Sequence, residues 1–164
     1  MPLSPPFVKA PLAVVAGLLA ALVACDRRHP SATDTPSQDV LRAAARFYDA
    51  YSEDARAHRR EKLAQYYAPN GALIVLAGQR RFYSRAAIDS FYRGPWQGPA
   101  YFAWDTLAFD TLSSNLVLVT GRFRWLAAGA RDTTRFIYAA ILQTADSSLA
   151  IRVEQETPAP NRQR

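Results

Sequence analysis

Histidine and cysteine are nearly missing from this chain: two histidines and one cysteine occur among 164 residues. A lone cysteine closes no intramolecular disulfide, so a small disulfide-stapled fold is excluded. His29 falls in a polar N-terminal stretch and His58 between two expected helices. Ser-His-Asp, Cys-His and histidine-metal arrangements therefore lack their central residue. No Gly-rich phosphate loop, zinc spacing or aromatic RNA-binding signature is present, so neither a cofactor, a metal nor a nucleic acid is expected. Lysine is scarce too, Lys9 and Lys62 being the only two among 20 basic side chains. The formal charge of +6 is thus arginine charge, a mild excess that does not by itself demand an anionic partner.

What the N-terminus does contain is an uncharged apolar run from Ala10 to Ala24 (APLAVVAGLLAALVA), preceded by Lys9. It is shorter than the ~20 residues that a spanning helix needs, and a positive start followed by a short apolar stretch is the layout of a secretory signal. Its end, Leu22-Val23-Ala24-Cys25, resembles a bacterial lipobox, in which small residues precede a cysteine that is acylated and becomes the first residue after cleavage. The expectation is a signal peptide over 1–24, lipid on Cys25 and a tether over 25–38, with the protein anchored to the membrane of the bacterial cell envelope and facing the periplasm or exterior. Asp26, directly after the cysteine, resembles the inner-membrane retention signal of enteric-type Gram-negative bacteria.

With 49% hydrophobic and 21% charged residues the rest reads as one globular domain over 39–156, followed by a polar tail over 157–164. Val40, Leu41, Ala44, Phe47, Tyr48 and Tyr51 recur at helical spacing and predict a first helix over about 38–54. A second helix over about 57–67 ends at Pro69-Asn70-Gly71, and Ser84 caps a third that stops at Gly94-Pro95. Strands are expected at Ala72–Leu76, Arg80–Tyr83, Tyr101–Asp110, Leu116–Leu126, Asp132–Thr144 and Leu149–Glu156, with turn residues between them. The order is ααββαββββ, an α+β fold. Alternation places Val117, Val119, Phe123 and Trp125, then Phe136, Tyr138, Ala140 and Leu142, then Leu149, Ile151, Val153 and Gln155 on the helix-covered face. The opposite face collects Arg122, Arg124, Arg131, Arg135 and Arg152, tempered by Glu154 and Glu156. It reads as solvated surface, or as a docking face for a second copy or anionic headgroups. For Tyr101–Asp110 both parities are aromatic and alternation does not choose between them.

Four stretches of this domain resemble the nuclear transport factor 2-like superfamily, in particular its SnoaL-like bacterial members: Phe47–Tyr51, Leu63–Leu73, Ser84–Ile88 and Val119–Phe123. The resemblance implies a cone, a strongly curved antiparallel sheet wrapping a long N-terminal helix and leaving a pocket between them. Many relatives end in a tryptophan strand followed by His-x-Ser. This chain has Leu149 and then Gln155-Glu156-Thr157, which reads as the loss of a common polar pocket group. Fold does not fix function. The leading expectation is non-catalytic binding of a small, largely apolar ligand by Tyr48, Tyr51, Tyr92, Trp104, Trp125 and Tyr138. One alternative is a pocket enzyme in which Asp105 serves as a carboxylate base with Tyr138 as donor; its plain counterpart is an Asp105 that pairs with a strand arginine such as Arg124. The other is a homodimeric module docking through its sheet face.

Overall fold

The computed structural model describes residues 38–160 except 146 and 147. The expected signal segment, Cys25, the tether up to residue 37 and the tail from 161 lie outside the described residues. Helix α1, Gln38–Arg56, buries Ala44, Tyr48, Ser52 and Ala55, positions that fall on one stripe at helical spacing. Asp39 in its first turn and Arg56 in its last complement the helix dipole. The second helical segment is shorter than the spacing predicts. It is a single turn, α2 (Arg60–Leu63), running into a 3-10 turn at Ala64–Tyr66. Helix α3, Arg85–Arg93, is capped as expected: the Ser84 hydroxyl accepts from the Ala87 N–H at 3.2 Å.

Six strands follow the expected order: β1 Ala72–Leu76, β2 Gln79–Tyr83, β3 Pro99–Ser113, β4 Leu116–Ala127, β5 Thr134–Ala145 and β6 Ser148–Pro158. Thr157 and Pro158 therefore belong to the last strand rather than to a tail, because they pair with Ile137 and Phe136. The strands form one curved, unclosed sheet in the order β2-β1-β6-β5-β4-β3. Neighbours are antiparallel except for β1 and β6, which run parallel, so the sheet is mixed rather than wholly antiparallel. The parallel join starts before β1, where Tyr67 bridges Ile151 and the Ala68 N–H donates to the Ile151 carbonyl at 2.9 Å.

Two bulges decide which residues face the helices. In β3 the register slips between Trp104 and Thr106, leaving Asp105 as the extra residue. Phe102 and Trp104 therefore pack inward before the slip, and Leu107 and Phe109 after it. One step past the slip Gly121 pairs with Leu107, and an added Cβ there would lie 2.6 Å from the Thr106 carbonyl oxygen. In β6, Ile151 pairs with Leu142 but Val153 pairs with Ile141, so Arg152 is the extra residue. Inward alternation thus runs Leu149, Ile151, Glu154, Glu156. Val153 and Gln155, expected inside, face outward, and the two glutamates expected outside face the helices. The Arg152 guanidinium ties the bulge down by donating to the Gly71 carbonyl at 2.5 Å. Gly71 is itself obligatory, since its φ is +93° and a Cβ would stand 2.3 Å from the Tyr83 carbonyl oxygen.

Candidate functional site

Between the concave face and the helices lies a cavity of about 660 Å³. Its wall is mostly aromatic, and Trp96, Trp104 and Trp125, the three tryptophans of the chain, all border it. The rings pack edge to face: Tyr92 on Trp96 at 5.2 Å between centroids, Phe102 on Trp104 at 5.3 Å, Trp104 on Tyr138 at 5.1 Å. Phe123 and Phe136 stack at 4.9 Å. The entrance is formed by the β1–β2 hairpin and α3, where Leu76, Gln79, Arg80, Arg81 and Phe91 are exposed.

Glu154 is 4% exposed and lies at the centre of a hydrogen-bonded chain of phenols. Tyr67 donates to one carboxyl oxygen at 2.7 Å and Tyr138 to the other at 2.9 Å. Each phenol has one proton, so those bonds orient the next pair: Tyr92 donates to Tyr67 at 3.0 Å and Tyr48 to Tyr138 at 2.8 Å. Burial holds the hydroxyls of Tyr48, Tyr67, Tyr92 and Tyr138, and of Tyr51 beside them, well above the ordinary phenol range. All five remain protonated, and four donors are committed toward one carboxylate. Burial raises Glu154 above the ordinary carboxylate range, against the pull of the Tyr67 and Tyr138 bonds. Glu156, opposite Tyr138 on β5, has no such donors. Burial first and the Glu154 charge second push it from 4.5 to about 8. Glu156 therefore holds its proton in the field of the Glu154 carboxylate, which its two phenols favour. No guanidinium, ammonium or imidazole contacts either carboxyl group among the described residues.

The structure brings five of the six expected aromatics, Tyr51, Tyr92, Trp104, Trp125 and Tyr138, to the cavity wall. Tyr48 is not on the wall; it is 1% exposed behind Tyr138, whose hydroxyl it orients. It also places Trp104, because the Ser52 hydroxyl that donates to its carbonyl at 2.5 Å accepts the indole N–H at 2.8 Å. Asp105 is not in the cavity. As the bulge residue of β3 it projects from the outer face and accepts from the Arg124 Nε at 2.7 Å, the plain alternative named for it above. The carboxylates of the site are Glu154 and Glu156, which strict alternation had assigned to the outer face. The outer face is accordingly more basic than expected, although Arg124 is paired there and Arg152 lies over Phe82. His58 is bound outside the cavity, its Nε2 2.8 Å from the Pro99 carbonyl oxygen.

No protein-family model and no curated protein matches the chain. Solved structures do. An NTF-2-like protein of unknown function from Shewanella oneidensis is similar at a TM-score of 0.62 and 13% identity, over 72% of this chain and 98% of that one. LinA is similar at 0.61 and 10%, over 75% and 88%. A ketosteroid isomerase-like protein from Erwinia carotovora atroseptica is similar at 0.60 and 10%, over 73% and 97%. The chain has the nuclear transport factor 2-like cone fold, as its local motifs imply. At these identities the likeness concerns the fold, and the site must be read from its own residues.

Proposed function

We propose that this chain is a lipid-anchored protein of the bacterial cell envelope whose cone-shaped domain binds a small, largely apolar ligand. The observation that carries this is the aromatic-walled cavity of about 660 Å³, of the size and lining of small-molecule sites. A core with no ligand to hold would gain by collapsing around such a volume, since each lost contact costs stability. The anchor rests on the Leu22–Cys25 string. Binding is tested by titrating 1-adamantylmethanol, a compact neutral probe, and following tryptophan emission, which reports the cavity because all three indoles border it. Saturable quenching or a spectral shift is expected, weakened at least about tenfold by Ala87→Phe, which fills the wall without removing a core group. A linear, unsaturable response of the wild type to this probe and to its amine and carboxylate analogues would refute the binding reading. Cys25→Ala in the native host is expected to abolish acylation by mass spectrometry, and an acylated Cys25→Ala protein would refute the anchor.

A second reading, proton transfer in the same cavity, is favoured by Glu156. A carboxyl group held to about 8 beside protonated phenols is poised to exchange a proton near neutral pH, with Tyr51 able to donate to a developing oxyanion. Glu156→Gln separates the readings: a catalyst loses turnover with binding retained, whereas a binding protein has no turnover to lose.

A further inference from the structure

The wall of the cavity is apolar and aromatic, yet its floor holds two carboxyl groups without a cation. Neighbouring inward positions on one strand put them side by side. Glu154 spends two of its acceptor sites on Tyr67 and Tyr138 and has others open; the Glu156 carboxyl makes no hydrogen bond or ion pair among the described residues. The nearest candidate partner on the sheet is Arg81, which shares a row with Ile74 and Glu154 across β2, β1 and β6. Two strand spacings, about 10 Å, separate the two backbones. The Arg81 guanidinium lies over the Tyr83 ring instead, 5.8 Å from its centroid, and is exposed at the entrance. A metal ion is poorly served, because no group of three or more metal-ligating side chains exists among the described residues.

From this we infer that the ligand carries a protonated amine, seated against Glu154 and Glu156, on an apolar body that fills the aromatic wall. This deepens the ligand-binding reading and rests on it. An ammonium donates three hydrogen bonds and brings the missing countercharge, which a buried carboxylate needs more than any neutral donor does. The aromatic wall reaches the carboxyl pair, since Trp104 packs on Tyr138, whose hydroxyl reaches Glu154, and Tyr92 and Trp96 continue it; a cation held against such rings gains from them as well. The entrance arginines act at longer range and are screened by solvent and salt.

The test uses the full-length protein and three probes of one shape: 1-adamantylmethylamine, 1-adamantylmethanol and 1-adamantanecarboxylate. Affinities are read by tryptophan emission and calorimetry near pH 7. The amine is expected to bind roughly tenfold or more tighter than the alcohol, with the carboxylate weakest, since a charge-assisted hydrogen bond is about twice as strong as a neutral one. In Glu154→Gln that preference is expected to shrink to within about threefold. Should that variant fail to fold, Glu156→Gln is expected to weaken the amine while leaving the alcohol unchanged. Equal or tighter binding of the alcohol by the wild type overturns the amine assignment and leaves the ligand-binding reading standing. Tightest binding of the carboxylate overturns it in favour of Arg80 and Arg81. Binding of none of the three removes both readings together.

Discussion

Raising the pH from about 5 to about 8.5 is expected to destabilise this domain through Glu156, with Glu154, which burial also raises, acting in the same direction. Its carboxyl group is raised from 4.5 to about 8 by burial and by the neighbouring Glu154 charge. A raised acid holds its proton more tightly in the folded chain than in the unfolded one. Between those two values the native state binds more protons, so stability is fully present below about 4.5 and is lost as the pH climbs toward 8. At about 1.4 kcal/mol per pH unit the interval would amount to nearly 5 kcal/mol; partial exposure of Glu156 reduces this to about 3 kcal/mol. Asp54 does not interfere. Burial works against its ionisation, but hydrogen bonds from Tyr66 and Arg59 hold it below its ordinary 3.8, so its contribution is lost only at more acidic pH. The buried phenols titrate above the window. Urea titrations followed by tryptophan emission give the measurement. With slopes of about 1–3 kcal/mol/M, the wild-type midpoint should fall by on the order of 1–3 M across the interval. In Glu156→Gln the fall should shrink, leaving the part that Glu154 contributes. A wild-type midpoint that holds steady or rises, or a fall that persists unchanged in Glu156→Gln, refutes the burial argument.

Tyr138→Phe removes one donor from Glu154 and the acceptor of the Tyr48 hydroxyl, and is expected to cost about 1–3 kcal/mol by urea unfolding and to raise Glu154 further. Gly121→Ala drives a methyl to 2.6 Å from the Thr106 carbonyl oxygen at the β3 bulge, so a loss of about 1–3 kcal/mol is expected, measured the same way. Asp105→Asn breaks only a half-exposed pair with Arg124. It should change stability by less than about 1 kcal/mol and leave probe affinity unaltered; a tenfold loss of affinity would return Asp105 to the site.

Helical spacing and turn residues make most of the architecture readable in advance. The stripe through Ala44, Tyr48 and Tyr51, the Ser84 cap and the Pro69-Asn70-Gly71 stop all mark elements that exist, because each is a local signal written within a turn or two of the backbone. Alternation places β4 and β5 correctly for the same reason, their inward residues running unbroken from Val117 to Trp125 and from Phe136 to Leu142. It fails in β3 and β6, where an extra residue inverts the faces. Aromatics on both parities around Trp104 are the trace that the first bulge leaves in the sequence. The second leaves a fainter one. An apolar pattern of Leu149 and Ile151 gives way to a run of arginine and glutamates, and reading through it assigns Glu154 and Glu156 to solvent. The parallel join of β1 and β6 has no local signature, since it depends on residues far apart in the chain.

The bulge at Arg152 makes the chemistry of the cavity a matter of counting. With Arg152 held out of the ladder, Glu154 and Glu156 form the floor; paired into the ladder in continuous register, the same strand would present Val153 and Gln155 inward, leaving a neutral floor beneath the same aromatic wall. Whether that single residue is ejected from the ladder or absorbed into it thus decides between an acidic site and an uncharged one, with no side chain altered. Homologues of this domain should accordingly be compared at β6 by the position of the slip, because an alignment gap shifted by a single place would equate a buried carboxylate with a solvent-facing glutamine.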